Sequence, residues 1–163
     1  MAVIKSAMDN EKYMRLAILE AQKAYKNGEV PIGAIVVYDG KVIVIAHNQT
    51  ITKNDPTAHA EILALRKAGK VLNNYRLNDI TLYVTVEPCA MCAGAIINAR
   101  IGKLVFGAYE PKSGCVSSKA HLFEAGLFNH TVEVLGGVLE TECSAILSRF
   151  FRGKRIAKAT NGV

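Results

Sequence analysis

Apolar residues recur at helical spacing from Asp9 to Asn27, at Tyr13, Leu16, Ala17 and Ala24, with Asp9 placed to cap the start and Asn27-Gly28 to stop it. The period then changes. GAIVVYDGKVIVIAHN (Gly33–Asn48) is rich in Val and Ile on either side of Asp39-Gly40, which predicts two strands joined by a tight hairpin turn. Asp55-Pro56-Thr57 leads into AHAEILALRKAGK, a helical pattern with Thr57 as its expected N-cap and Gly69 near its end. TLYVTV reads as a short apolar strand, PCAMCAGAIINAR as a helix opened by Pro88, and KLVFG as a further strand. Past Gly107 the pattern loosens: AYEPKSGCVSS reads as loop, HLFEAGLF as a short helix and TVEVLGG as a strand. LETECSAILSRFFRGKR closes the series as an amphipathic helix with Phe150 and Phe151 near its end. Strands separated by helices predict a largely parallel α/β sheet covered on both faces and begun by an antiparallel hairpin. With no internal repeat and no linker, the expected organisation is one domain over residues 1–153 and a short basic tail over 154–163.

Composition narrows this further. The chain has 163 residues, 50% of them hydrophobic, and only four prolines, which argues against disorder. No window approaches the roughly 18 uninterrupted apolar residues of a membrane span, and MAVIKSAMDN lacks the apolar centre of a signal peptide. A soluble, cytoplasmic protein with no membrane partner is the expectation. Four cysteines, Cys89, Cys92, Cys115 and Cys143, are too sparse for a disulfide scaffold. The formal charge of +6 is concentrated at one end. After Glu142 there is no acidic residue, while Arg149, Arg152, Lys154, Arg155 and Lys158 are all basic. Such a terminus is either a solvated, frayed end or a contact for phosphates.

The candidate chemistry sits where two helices begin. Cys89 and Cys92 form a C-x-x-C that could serve redox chemistry, a structural zinc clip or a catalytic metal site. At i and i+3 on a helix their sulfurs share a face, and the positive end of the helix favours the thiolates a metal binds. A redox pair has no use for His59-Ala60-Glu61. A structural zinc needs a fourth ligand, and the remaining cysteines are isolated while His121 and His130 are too far apart to form a close pair. His59, Cys89 and Cys92 therefore leave tetrahedral zinc one open position, for water. Glu61 is placed to take a proton from that water, whose pKa zinc lowers from about 15.7 towards 7. On a regular helix residues i and i+2 diverge, so His59 and Glu61 can share a pocket only in a distorted first turn. Alone, a helical His or a first-turn Glu is usually structural; H-A-E followed by P-C-A-M-C is a specific constellation, the signature of zinc deaminases.

The resemblance extends beyond that signature. EVPIGAIVV, HNQ, DPTAHAEILALRKAG, NYRL, TLYVTVEPCAMCAGAIINARIGKLVFGA, KSG and SRFFR resemble the bacterial tRNA-specific adenosine deaminases over nearly the whole chain. This implies a cytidine deaminase-like three-layer α/β/α sandwich around a five-stranded mixed sheet, one Zn2+ per subunit, and a homodimer. The implied reaction is hydrolytic conversion of adenosine to inosine at the wobble position of a tRNA anticodon by zinc-bound hydroxide. In it His59, Cys89 and Cys92 hold zinc, and Glu61 moves protons from the water to N1 and then to the departing ammonia. The same resemblance places Asn48 against the target nucleoside, Val30 and Pro88 as apolar pocket walls, and Glu110 beside the anticodon loop, where the family commonly has Asp. A base must leave its stack to enter such a pocket, which favours a loop and gives the basic end a task. Arg149 and Arg152 would meet phosphates and Phe151 could stack on a base, with Phe150 expected in the core. Cys115 and Cys143 are expected to be ordinary thiols. Two other readings are a free-base deaminase acting on guanine or cytosine, which has no need of a basic end, and a zinc-stabilised RNA-binding module, for which Glu61 has no purpose.

Overall fold

The structure is a computed structural model that describes residues 1–162, and its elements run α1 (Ala2–Lys26), β1 (Gly33–Tyr38), β2 (Lys41–His47), α2 (Ala60–Leu72), β3 (Ile80–Val86), α3 (Ala90–Ala99), β4 (Lys103–Ala108), β5 (Glu133–Leu135) and α4 (Glu140–Thr160). The five strands form one sheet in the order β2-β1-β3-β4-β5. β1 is antiparallel to both β2 and β3, while β3, β4 and β5 pair in parallel. Four strands thus point one way and β1 alone points the other, so the sheet is mixed and largely parallel, begun by the expected antiparallel hairpin. The hairpin turn is as expected, with Asp39 at φ 48° and Gly40 at φ 70°.

Strand alternation sorts the core into two layers. Ala34, Val36, Leu82, Val84, Leu104 and Phe106 face one side, where Ala60, Ala64, Leu65 and Ala68 of α2 and Ile96 of α3 cover them. Ile35, Val37, Tyr83 and Val105 face the other, against Tyr13, Met14 and Ala17 of α1 and Cys143 of α4. The result is the three-layer α/β/α sandwich. Gly107 lets α4 close on β4: a Cβ there would lie 2.3 Å from Cys143 Sγ.

Several expected boundaries move. α1 begins at Ala2 rather than after Asp9, so Asp9 lies within the helix, and its first turns expose Val3, Ile4 and Met8. Thr57 does not cap α2: its hydroxyl and amide both turn to Asp55 Oδ1, and His59 is the N-cap. Pro88 precedes the N-cap of α3, which is Cys89. His121–Phe128 forms a run of turns, since its apolar residues Leu127 and Phe128 find no sheet to cover and stay exposed. Residues 154–160, expected as a tail, are the exposed end of α4. Among the described residues no helix is long and apolar enough to cross a membrane.

Candidate active site

Because β2, β3 and β4 point the same way, their carboxyl ends line one edge of the sheet. Register brings His47, paired through Gly33, beside Val84 to Val86, and Val86 beside Ala108. The segments that leave this edge carry Asn48, then Glu87-Pro88-Cys89, then Tyr109-Glu110. This is the edge at which open α/β sheets bind ligands.

Two helices start here without the usual Ser, Thr, Asp or Asn cap. The N-cap of α2 is His59 (φ −72°, ψ 151°) and that of α3 is Cys89 (φ −74°, ψ 176°); neither side chain caps its helix. Both are turned inward instead. The extended backbone at His59 removes the conflict expected of i and i+2 neighbours, because His59 precedes the helix and Glu61 lies within it. Asn48 supplies the missing cap, its Oδ1 accepting the Ala60 amide at 2.8 Å.

His59 Nδ1 lies 3.8 Å from Cys89 Sγ and 3.6 Å from Cys92 Sγ. One ligand atom from each residue can be chosen so that all lie within 4.8 Å of one another, and this is the one His, Cys, Asp and Glu group of that kind among the described residues. Tetrahedral zinc, about 2.3 Å from thiolate and about 2.0 Å from imidazole, spaces such nitrogen and sulfur atoms about 3.5 Å apart. The donor set has the size and chemistry zinc requires. The hydrogen bond from Cys92 holds the Cys89 thiol down at about 4, with His59 adding to it against the effect of burial. The same bond, together with burial, pushes Cys92 up.

Glu61 is 3% exposed, and its Oε2 is the one buried side-chain oxygen or nitrogen without a hydrogen-bond partner among the described residues. Burial pushes its carboxyl up to about 7, with the Cys89 charge adding to the shift, while its own backbone amide and the His59 charge oppose it. A buried carboxyl of that pKa, with a free oxygen beside three metal-binding groups, can accept and return a proton near neutrality.

The other expected residues take separate positions. Asn48 is 3% exposed, with its side-chain oxygen taken up by the Ala60 amide. Val30 is half-buried in the α1–β1 loop and Pro88 is buried. Glu110, Phe151 and Arg152 line one groove of about 670 Å3 with Lys112, Ser113 and Arg155. Phe150 is in the core, edge-on to Tyr25 and to Phe151, whereas Phe151 is 42% exposed. Arg149 takes a different position from Arg152: its guanidinium lies over the Tyr25 ring at 5.0 Å, in a groove between α1 and α4. Cys143 is buried, which pushes its thiol up to about 12, and the half-buried Cys115 donates to Ser113 O; neither joins the cluster.

Three buried carboxylates were not anticipated, and the first, Glu20, pairs with Lys23 and His47. Glu29 accepts the amides of Ile51 and Thr52 and the hydroxyls of Thr50 and Thr52, fixing the loop between Asn48 and His59. Glu87 does the same for the loop after β4. The signal for Glu87 was an acidic residue ending an otherwise apolar strand.

A three-layer sandwich with two helix starts bringing His, Glu and two Cys into one cluster defines the zinc-dependent nucleobase deaminases. A family model described as MafB19-like deaminase matches residues 8–155. The tRNA-specific adenosine deaminase of Bacillus subtilis is 50% identical over 91% of this chain and 92% of its own. That of Haemophilus influenzae is 51% identical over 96% of this chain and 91% of its own. A solved structure from work on A-to-I editing by tRNA A34 deaminases superposes with a TM-score of 0.81 at 46% identity, covering 83% of this chain and 99% of the other. A guanine deaminase from Nitrosomonas europaea shares the fold with a TM-score of 0.75 at 24% identity. The chain belongs to the tRNA-specific adenosine deaminase family.

Proposed function

We propose that the protein hydrolyses the 6-amino group of adenosine at the wobble position of a tRNA anticodon, giving inosine and ammonia. The observation that carries the chemistry is the partnerless Oε2 of buried Glu61 beside the His59, Cys89 and Cys92 donors. The substrate reading is supported by relatives about half identical over nine-tenths of the chain, whereas a guanine deaminase at 44% identity covers 61% of it with a TM-score of 0.58.

His59, Cys89 and Cys92 would hold zinc, one ion per chain, which when bound would lower the pKa of a water to about 7. Glu61 accepts the proton of the attacking water on its carboxylate. It delivers that proton to N1 of the purine as the C6–O bond forms. It then carries the second proton to the amine nitrogen as the C6–N bond breaks, so that ammonia leaves neutral. Its buried oxygen, without a partner among the described residues, is free for both directions of transfer. Asn48 holds the nucleoside through its amide nitrogen, since its oxygen is committed to Ala60. Val30 and Pro88 wall the pocket against water.

The groove of Glu110, Phe151, Arg152 and Arg155 receives the anticodon loop, with the two arginines on phosphates and Phe151 under a splayed base. Arg149, engaged on Tyr25, supports α4 instead. The exposed apolar residues Val71, Tyr75 and Met91 offer a surface for the homodimer the family implies, and a single-chain mass in sedimentation would exclude that dimer. The cytoplasm, where the proposed substrate resides, is its compartment.

The deciding assay offers the protein an anticodon stem-loop with wobble adenosine, free guanine and cytidine, and measures inosine, xanthine and uridine. Inosine from the stem-loop is expected. Xanthine alone would replace this reading with a free-base deaminase.

A further inference from the structure

Glu87 stands between Val86, the last residue of β3, and Pro88-Cys89, where the metal-ligating turn begins. The proton transfers above have no use for it, yet its side chain is buried, 3% exposed. Its Oε1 accepts the amides of Val116 at 3.1 Å, Ser117 at 2.7 Å and Ser118 at 2.9 Å. Its Oε2 accepts the Glu110 amide at 3.0 Å and the Ser118 hydroxyl. All five donors come from one loop, residues 110–118.

That loop has little else to hold it. It joins no strand of the sheet, and Val116 is its one buried apolar side chain. The Cys115 amide donates to Pro88 O at 2.8 Å, which ties the loop to the same short segment. Gly114 makes the approach possible: a Cβ there would lie 2.4 Å from Glu87 Cδ and 2.6 Å from Glu110 O. The fastened loop also supplies Glu110, Lys112 and Ser113 to the groove whose other wall is Phe151, Arg152 and Arg155 of α4. One carboxylate, two residues before Cys89, therefore sets where half of that groove stands relative to the metal-binding donors.

We propose that Glu87 is a positioning residue for the polynucleotide: it fixes the 110–118 loop so that a strand lying in the groove delivers its splayed base to the Glu61 pocket. It acts through five loop donors and touches neither substrate nor metal. The inference rests on the tRNA deaminase reading of the site and names the element that registers substrate against it.

Two variants test it by different routes. Glu87→Gln keeps the side chain's size but sets an NH2 group against backbone donors, whereas Gly114→Ala leaves the carboxylate intact and pushes the loop away from it. Both should retain zinc at the native level and raise KM for the anticodon stem-loop about tenfold or more, with kcat within about twofold, as expected for loss of charge-assisted hydrogen bonds. The double variant should be little worse than either, because both act on one contact. Hydrogen exchange at the Val116, Ser117 and Ser118 amides should accelerate in Glu87→Gln. Loss of zinc, or a fall in kcat at unchanged KM, would assign Glu87 to the support of Cys89 and overturn the proposal. Unchanged amide exchange would overturn it as well. If the native protein yields no inosine from the stem-loop, the functional reading fails, and amide exchange still decides whether Glu87 fastens the loop.

Discussion

Asn48 Oδ1 accepts the Ala60 amide at 2.8 Å, so the residue proposed to hold the nucleoside also caps the helix that carries Glu61. Asn48→Ala should lower stability by about 0.5–2 kcal/mol, the usual cost of a lost N-cap, and depress activity. Asn48→Asp keeps a capping oxygen and loses the amide donor. It should unfold within about 0.5 kcal/mol of the native protein while kcat/KM for the stem-loop falls at least about tenfold. Equal thermal shifts in the two variants would separate the cap from Asn48.

Glu61 carries protons and is no metal ligand in this scheme. Glu61→Ala should bind zinc at the native level and lose about 10²-fold or more in kcat, the range for removal of a general acid–base group. Parallel metal analysis and turnover check this; loss of metal with turnover would make Glu61 a ligand.

Removal of the metal provides a second test of the site. Dialysis against a chelator should abolish turnover, and stoichiometric zinc should restore it, one ion per chain. Cys92→Ala, which deletes a buried donor from α3, should not regain activity with added zinc.

Phe150 and Phe151 are adjacent in sequence and divided by burial, 8% against 42% exposed. Phe150→Ala should destabilise by about 3–5 kcal/mol, as core aromatic deletions do. Phe151→Ala should leave the melting temperature nearly unchanged and weaken stem-loop binding by about 1–3 kcal/mol, the value of one stacked base. Arg152→Ala should reduce the salt dependence of that binding, and Arg149→Ala should not. Thermal melts and binding titrations at several salt concentrations separate these effects.

Glu29 gives the fold an acid limit. Burial works against its charge, but the Thr52 and Ile51 amides and the Thr52 and Thr50 hydroxyls outweigh it and hold the carboxyl below 4.5. The folded state therefore binds this proton more weakly than the unfolded chain. The stabilisation is complete above the unfolded pKa and is lost as pH falls through the lower, folded value. Glu29→Gln should melt below the native protein at neutral pH, and the gap should narrow as the pH is taken below about 4. Unfolding curves across that range measure the gap directly.

The sequence by itself determined the site motifs and most of the elements. The His59-Ala60-Glu61 and Cys89-x-x-Cys92 motifs, the hairpin at Asp39-Gly40 and the strand and helix cores were legible because each rests on local spacing or local turn geometry. Element starts were not legible where a donor turns inward: Thr57 looks like the better N-cap than His59, and only the pocket draws the imidazole away from solvent. The His121–Phe128 stretch has helical composition, but Phe123 packs on the core while Leu127 and Phe128 stay exposed, so its pattern misleads. Contacts across the sheet edge decided the rest. Asn48 caps a helix that starts twelve residues later, Glu29 and Glu87 gather loops more than twenty residues away, and Arg149 lies over Tyr25 rather than in the groove of Arg152. Such partners leave no period in the sequence, because they are set by which strand ends the fold brings side by side.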